Sequence, residues 1–325
     1  MSDSYILLFP ILVLLVAYIY QNIVGVSDTP TFLDRNYTTA LKGVAILFIM
    51  YGHCACFWPG GRLTSPFGGI GVSLFLILSG YGLNESYLKR GLDGFWKKRI
   101  SKVYIPYIIA AMLPIVFKGQ LAKSGGVILC YDSPYWFVTY IIECYIVFWV
   151  CTRLLSKYRM CIFLVLSFCS LIFLSELQAE QSLGFITGIW MSEHKGKLNN
   201  LVKEKKYMVR IILVFLFVGI LTLAIKQLPF VREYSGTPIY SIVQLFIKWP
   251  LSLAILLGAV WTPALLRNPF IIFSGVISYE LYLVHFPFYG IIGERFWPAV
   301  VLWVGAFVVS WLFNKINNRI NKLIA

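Results

Sequence analysis

Long apolar stretches alternate with short polar segments along almost the whole chain. A helix that crosses a bilayer needs about 20 mainly apolar residues. Eleven stretches are candidates, at about residues 4–23, 38–58, 67–84, 103–117, 135–152, 160–176, 181–193, 208–227, 245–266, 270–292 and 296–313. The stretch at 181–193 is the weakest because it is short and contains two glycines, so a re-entrant or tilted segment stays open there. The pattern predicts an all-α membrane protein, a polytopic bundle of about 10–11 transmembrane helices.

The composition agrees with a membrane protein and argues against a soluble one. Of the 325 residues, 59% are hydrophobic and only 13% are charged, whereas a soluble domain carries roughly a quarter of charged residues. The lipid bilayer is therefore the expected surrounding. The 28 Lys and Arg residues exceed the 14 Asp and Glu residues, which gives a formal net charge of +14. Because these cations gather between the apolar stretches, we interpret them by the positive-inside rule and expect no nucleic-acid partner.

The basic residues also predict the orientation of the chain. They cluster at 89–102, 153–159, 195–210, 267 and 315–322. Eleven crossings with the N-terminus outside place all these clusters in the cytoplasm, whereas omitting 181–193 would move some of them outside. We therefore predict an N-out, C-in multi-pass protein of the inner (cytoplasmic) cell membrane. The first stretch lacks a basic leader and a small-residue cleavage site, so it is interpreted as a retained helix.

Ionisable side chains at membrane depth are costly and are often functional. Lys42 and His53 share the second apolar stretch and are eleven residues apart. On a helix this is close to three turns, so the two side chains lie on nearly the same face, roughly 16 Å apart along the axis. We interpret both as catalytic: Lys42 would hold an anionic donor near the cytoplasmic edge, and His53 would accept the proton of a hydroxyl. An interfacial histidine and a snorkelling lysine are the alternatives.

Further polar and aromatic residues within the apolar stretches are candidates for a substrate cavity. They are Ser79, Tyr81, Trp136, Glu143, Ser278, Tyr282 and His285. Glu143 lies near the middle of the fifth stretch and needs a partner or a proton there. The last three follow i, i+4, i+7 spacing and form one polar stripe on a helix. A cavity wall and a hydrogen-bonded structural stripe both fit this spacing.

A basic and aromatic segment at 95–106 precedes the fourth stretch. Arginine is well shaped to bind phosphate, so Arg99, Lys98 and Lys102 are candidate ligands for a phosphate-bearing donor. Arg35, at the start of the second stretch, is a further candidate. A simple positive-inside anchor is the alternative for most of the lysines. Lys248 borders an apolar stretch and is expected to snorkel to the outer interface.

The sequence offers little for several common kinds of site. No His, Cys, Asp and Glu set has the spacing of a structural metal site, and His53-Cys54-Ala55-Cys56 is too tight for a tetrahedral chelate on one helix. We therefore expect no metal. A phosphate-binding loop and a Gly-x-Ser-x-Gly nucleophile elbow are also absent from the sequence.

Four segments in order along the chain resemble the acyltransferase 3 family of membrane O-acyltransferases. They are Leu41–Ala45 followed by His53, Gly71–Phe75 running into Leu78–Tyr81, Phe95–Ile100 leading to a proline, and Ile277–His285. The resemblance runs from about Thr31 to the last apolar stretch. It implies a single acyltransferase domain over 1–325, made of an additional N-terminal helix (1–30), the family core (31–314) and a basic cytoplasmic tail (315–325).

The resemblance implies that the chain transfers an acyl group, commonly acetyl from acetyl-CoA, to a hydroxyl of a surface polysaccharide or lipid-linked sugar of the cell envelope. The machinery of polysaccharide synthesis is then a candidate partner. The family's cation-to-histidine pair corresponds to Lys42 and His53, but the cation is usually arginine. Lysine keeps the charge and loses the planar, bidentate fork, so the contacts to the donor at this position are expected to differ.

Two other classes of function stay open from the residues alone. A transporter or flippase for a lipid-linked glycan would use Glu143 and His53 as a proton relay, although the sequence shows no repeat symmetry. A purely structural partner in a synthesis complex would tolerate the loss of Lys42 and His53.

Overall fold

The computed structural model describes residues 5–25, 30–53, 64–117, 119, 124–130, 135–289 and 301–324. These residues form α-helices joined by short turns and by a few 3₁₀ and π segments, and they contain no β-strand. The prediction of an all-α polytopic membrane protein is therefore confirmed, while the orientation of the termini stays a prediction.

The chain divides into two compact units. The larger unit comprises Ile11–Lys89 and Val150–Val276, and the smaller unit comprises Met1–Pro10, Arg90–Trp149 and Ile277–Ala325. The larger unit contains most of α1 (Tyr5–Val24) and α3 (Ser65–Arg90), and all of α2 (Arg35–His53), α8 (Arg159–Phe173), α9 (Glu176–Ala179), α10 (Ser182–Glu193), α11 (Lys195–Lys203), α12 (Lys205–Lys226), α13 (Pro229–Arg232), α14 (Pro238–Gly258), α15 (Pro263–Arg267) and α16 (Pro269–Val276).

The smaller unit is built from fewer helices and contains two π-helical segments, Ile100–Tyr104 and Val301–Gly305. Its α-helices are α4 (Phe95–Arg99), α5 (Ile105–Phe117), α6 (Ser124–Ile128), most of α7 (Trp136–Leu154), α17 (Ser278–Tyr289) and α18 (Ala306–Ile324). Within this unit α17 packs on α5 and on α18.

Six helical segments of the described chain are long and apolar enough to cross a membrane. They are Ser65–Arg90, Phe95–Val116, Trp136–Leu154, Ser156–Phe173, Lys205–Lys226 and Pro238–Trp261. The other predicted crossings are not among these six, although α1 and α2 have 20 and 19 residues. Residues 54–58, 290–292 and 296–300 of three predicted crossings lie outside the described residues. α10 has only 12 residues, in keeping with the weak stretch at 181–193. The stretch at 270–292 is interrupted at Ile277, between α16 and α17.

Glycines bring several helices of the larger unit into backbone contact. A Cβ placed on Gly80 would lie 2.1 Å from the carbonyl oxygen of Phe185, and one on Gly188 would lie 2.0 Å from that of Ile77. Only a residue without a side chain permits such an approach between α3 and α10. The glycines that the sequence places in these apolar stretches therefore serve helix packing.

Candidate functional site

Lys42 and His53 lie on one uninterrupted helix, α2. The rise of an α-helix separates them by roughly 16 Å along its axis, on nearly the same face. Both side chains are half-buried. The helix thus carries an ammonium group and an imidazole at two depths, and their catalytic roles stay predictions.

The start of α2 is held firmly in the larger unit. The carboxylate of Asp34 caps the helix, because its Oδ1 accepts a hydrogen bond from the backbone N–H of Tyr37 at 2.6 Å. The hydroxyl of Tyr37, which is fully buried, donates to the carbonyl oxygen of Leu256 at 2.5 Å. These bonds fix the register of the helix five residues before Lys42.

A glycine stands next to each of the two candidate residues on α2. Gly43 follows Lys42, and a Cβ there would lie 2.0 Å from the carbonyl oxygen of Ile271 on α16. Gly52 precedes His53, and a Cβ there would lie 2.4 Å from the backbone nitrogen of Gly68 on α3. Neighbouring backbones therefore press against α2 at both positions, which limits how far Lys42 and His53 can move.

Tyr81 and Ser79 lie on α3, which packs against α2. The hydroxyl of Tyr81 is buried and donates to the carbonyl oxygen of Leu33 at 2.9 Å, just before α2 begins. Tyr81 thus lies at the Lys42 end of α2, opposite to the end with His53. Ser79 is half-buried and Arg35 is exposed.

The sequence did not single out a polar network that surrounds Tyr81. Glu85 accepts a hydrogen bond from Ser192 at 2.8 Å, and its other oxygen lies 3.2 Å from the ammonium of Lys195. Asn84 donates to the same Ser192 at 3.1 Å. A hydrogen bond to the Tyr81 hydroxyl, followed by one to Glu85, raises the pKa of Lys195 above its ordinary value. Lys195 is therefore a fixed cation near the start of α2.

At the other end of α3, Lys248 is buried, so the expectation that it snorkels to the outer interface is wrong. Its ammonium pairs with the carboxylate of Glu180, and only 7% of Lys248 and 3% of Glu180 are exposed. The side chain crosses α3 at Gly69, where a Cβ would lie 2.3 Å from Cε of Lys248. Gln181 donates to the carbonyl oxygen of the same Gly69 at 3.1 Å. The ammonium of Lys248 is thus paired with a buried carboxylate inside the protein and does not extend to the membrane interface.

Arg99, in the smaller unit, lies between two aromatic rings. Its guanidinium carbon is 5.6 Å from the ring centroid of Phe95 and 5.1 Å from that of Tyr145, which suits the planar cation. Its buried Nε has no hydrogen-bond partner among the described residues. Lys98 is half-buried and Lys102 is exposed. The arginine therefore keeps a donor available for an acceptor such as a phosphate oxygen.

The helix changes its hydrogen bonding directly after Arg99, where the π-helical segment Ile100–Tyr104 begins. The hydroxyl of Tyr279 on α17 donates to the carbonyl oxygen of Val103 in this segment at 2.7 Å. π-Helical turns occur frequently at functional sites. Tyr279 thus connects the segment that follows Arg99 to the helix with the Ser278, Tyr282 and His285 stripe.

Aromatic contacts bring two of the predicted cavity residues, Tyr282 and His285, together in the smaller unit. Tyr282 has its ring centroid 5.2 Å from that of Phe137, the neighbour of Trp136, and 5.9 Å from that of His285. Nδ1 of His285 lies 2.7 Å from the carbonyl oxygen of Leu281. Because a carbonyl only accepts hydrogen bonds, this contact assigns the proton to Nδ1 in the neutral ring. Ser278 belongs to the same stripe and is buried.

Glu143 has an exposed side chain on α7. No cation of the described chain lies within ion-pair distance of it. A different carboxylate, that of Glu280 on α17, is buried and accepts a hydrogen bond from Asn317 at 3.0 Å. Glu143 is therefore an exposed carboxylate, whereas Glu280 is buried and hydrogen-bonded.

The candidate residues divide between the two units. The larger unit contains Arg35, Lys42, His53, Ser79 and Tyr81, and the smaller unit contains Lys98, Arg99, Lys102, Trp136, Glu143, Ser278, Tyr282 and His285. Within the described ranges, no three residues of the types His, Cys, Asp and Glu are grouped so that they could hold a metal ion.

Comparison with known proteins gives the family of the chain. The family model described as an acyltransferase domain, acyltransferase 3, matches residues 35–314, most of the chain. The chain belongs to the acyltransferase 3 family. No curated protein and no solved structure matched it. This acyltransferase is a multi-pass membrane enzyme that moves an acyl group from a donor to an acceptor.

The four segments of the acyltransferase that resemble the family occupy defined places in the structure. They fall on α2, on α3, on α4 with the start of the π-helical segment, and on α17 with the residue before it. Sequence reasoning missed Glu85, Lys195 and Glu180, and it wrongly placed Lys248 at the outer interface. Their partners are far away along the chain, as in the 110 residues between Lys195 and Glu85, so no local pattern could have pointed to these pairs.

Proposed function

We propose that this acyltransferase transfers an acetyl group from acetyl-CoA to a hydroxyl of a cell-surface carbohydrate or lipid-linked glycan, and that His53 is its catalytic base. The observation that carries the proposal is the position of Lys42 and His53 on one helix, α2, with a glycine beside each. Backbone contacts at both glycines hold the two groups at fixed depths, which is the preorganisation that a reaction centre needs.

The chemistry assigns a distinct task to each group. His53 takes the proton of the acceptor hydroxyl while the hydroxyl oxygen attacks the thioester carbonyl. The carbon–sulfur bond then breaks, and the coenzyme A thiolate leaves and takes up a proton. In the second route His53 itself attacks the thioester and carries the acetyl group to the acceptor. Both routes use the same imidazole and the same donor.

The cations serve the donor, which is a polyanion. Arg99 supports this role because aromatic rings orient its guanidinium and its buried Nε has no partner among the described residues. Lys98, Lys102 and Arg35 supply further positive charge for the phosphates, and Lys42 is the cation on the helix of the catalytic base. Trp136, Tyr282 and His285 are the proposed aromatic residues of the acceptor site; Tyr282 and His285 are buried, so the acceptor would reach them only through a cavity that opens when it binds.

The decisive experiment uses the purified full-length enzyme and the release of coenzyme A from acetyl-CoA in the presence of acceptor glycan. His53→Ala is expected to lower turnover by about 10²–10⁴-fold, the usual contribution of a general base. His194→Ala is the matched control, since His194 lies outside α2 and has no role in the proposal. Both variants are first compared with the wild type by gel filtration and thermal melting.

A His53→Ala enzyme that is folded and as active as the wild type would rule out His53 as the base. The two routes are separated by quenching the reaction without acceptor and measuring the mass of the peptide that contains His53. An added acetyl group on that peptide supports the covalent route. An unmodified peptide, from an enzyme preparation that is fully active once acceptor is added, supports direct transfer.

The acceptor is identified in cells. Mass spectrometry of the surface glycans with and without the gene should show a loss of one acetyl group at a defined sugar. Loss of a whole glycan from the cell surface, with the acetylation of the remaining glycans unchanged, would favour the transporter instead.

A further inference from the structure

An apolar groove lies in the larger unit, between α8, α10, α11, α12 and α14. It encloses about 680 Å³, and its walls include Leu164, Phe168, Trp190, Leu201, Phe215 and Trp249. This volume is within the usual range of ligand-binding pockets. None of the groups that are candidates for catalysis or donor binding lines the groove, so it is a separate feature of the enzyme.

The groove faces the surroundings of the protein. Trp190 is 44% exposed, Leu164 45% and Phe168 57%. Three of the helices that form it, α8, α12 and α14, belong to segments that are long and apolar enough to cross a membrane. In a bilayer such a groove opens toward the hydrocarbon chains of lipids. If it were empty, the atoms that line it would lose van der Waals contacts.

Two polar side chains of the groove, those of Trp249 and Thr187, already have hydrogen-bond partners. Nε1 of Trp249 donates to the hydroxyl of Thr187 at 2.9 Å, and this hydroxyl donates to the carbonyl oxygen of Leu183 at 2.7 Å. An occupant therefore needs no hydrogen-bonding groups in this region, and an aliphatic chain satisfies the requirement.

One end of the groove is formed by a short basic helix. Leu198 and Leu201 of α11 line the groove, while Lys197 of α11 and Lys205, the first residue of α12, are exposed. The neighbouring cations that are also exposed are Lys203, Lys206 and Arg210. A helix with an apolar face in a groove and lysines beside it is typical of an interfacial helix that attracts anionic lipid headgroups.

We propose that this groove is a binding site for an anionic phospholipid, whose acyl chain fills the groove and whose phosphate lies at Lys197 and Lys205. The positive charges of Lys197 and Lys205 favour an anionic headgroup. The apolar walls of the groove favour an aliphatic chain. The site would tie α11 to the surface of the membrane that contains anionic lipid. The proposal does not depend on the identity of the acyl donor or acceptor.

The test measures lipid binding and leaves acyl transfer aside. The purified full-length enzyme is delipidated in mild detergent and titrated with phosphatidylglycerol or phosphatidylcholine, with native mass spectrometry for bound lipid and thermal melting for stabilisation. The wild type is expected to bind phosphatidylglycerol more tightly. Loss of two lysines, in Lys197→Gln/Lys205→Gln, should weaken this binding roughly 30-fold. Lys315→Gln/Lys322→Gln, which removes two exposed lysines of α18 in the smaller unit, is the matched control and should leave the binding unchanged.

A second pair of variants tests the groove itself. Leu164→Trp fills it and should abolish the bound lipid, whereas Leu166→Trp, on the same helix and similarly exposed at 42% but outside the groove, should retain it. The proposal is overturned if Leu164→Trp binds phosphatidylglycerol like the wild type. It is also overturned if the wild type does not prefer the anionic lipid, or if polyprenyl phosphate binds in the groove and phosphatidylglycerol does not.

Discussion

At the scale of single residues, Lys248 and Glu180 form an ion pair with little access to solvent. Two charges removed from water are expensive, and their attraction offsets the cost only while both partners are present. The glycine at position 69 gives the lysine its path across α3. The pair therefore stabilises the larger unit only while both charges are present. Loss of one partner should lower the free energy of unfolding more than loss of both.

Lys248→Met is predicted to lower the free energy of unfolding by about 3–5 kcal/mol, since it leaves the carboxylate of Glu180 buried without a cation. The double variant Lys248→Met/Glu180→Gln should recover much of this loss. Thermal melting of the purified enzyme measures both. Equal melting temperatures for Lys248→Met and the wild type would contradict the buried pair.

The pH dependence of Lys248→Met provides a second readout of the same pair. Burial raises the pKa of Glu180, and Lys248 opposes this rise. A carboxyl whose pKa is raised in the folded state binds its proton more tightly there than in the unfolded chain, so lowering the pH stabilises the folded state. Without Lys248 the melting temperature should therefore rise, relative to the wild type, as the pH is lowered from neutral toward the ordinary pKa of a glutamate.

At the scale of helices, α2 is packed through glycines against α16 and α3. A Cβ on Gly43 would meet the carbonyl oxygen of Ile271 at 2.0 Å, and one on Gly275 would meet that of Thr39 at 1.9 Å. Backbone atoms cannot rotate away as a side chain can. The position of Lys42 and His53 therefore depends on small residues elsewhere in the fold.

Gly43→Ala is predicted to destabilise the enzyme by about 1–3 kcal/mol, the usual cost of overpacking, and to lower activity because α2 must shift. Gly82→Ala on α3 is the control, since a Cβ there meets nothing within 4 Å. That variant should be neutral or up to about 1 kcal/mol more stable. Thermal melting and coenzyme A release are measured for both. The same effect for the two substitutions would refute the packing argument.

The contact between Tyr279 and the π-helical segment after Arg99 leads to a prediction on donor binding. Tyr279→Phe removes the hydroxyl that bonds Val103 and should cost about 1 kcal/mol of stability. If this bond positions Arg99 for the donor, KM for acetyl-CoA should rise severalfold while kcat changes little. Tyr107→Phe, which removes a hydroxyl bonded to the carbonyl oxygen of Val127 outside the π-helical segment, is the control. A fall in kcat with an unchanged KM would argue against a role in donor binding.

At the scale of the whole molecule, the distribution of basic residues predicts an N-out, C-in protein. The segment 195–210 is the most informative, because it follows α10, which has only 12 residues. If α10 and its neighbours complete a crossing, this segment and the C-terminus are both cytoplasmic.

Reporter fusions check this orientation directly. A fluorescent protein attached after Ala325 or inserted after Lys203 should fluoresce, as it does in the cytoplasm. An alkaline phosphatase inserted after Ser235 should be active, as it is outside the cytoplasm. An alkaline phosphatase inserted after Lys203 should be inactive. If it is active, α10 does not complete a crossing and the predicted orientation is wrong.

The sequence by itself determined the class of fold, the membrane location and the segments that resemble the family. Apolar stretches of helical length and the spacing of Lys42 and His53 are local features, and a helix preserves local spacing. Only the tertiary structure decided which glycine meets which backbone, that Lys248 pairs with Glu180, that Glu143 is exposed, and that five helices enclose an apolar groove. These depend on contacts between residues far apart in the chain, whose partners are selected by packing and by the cost of burying charge.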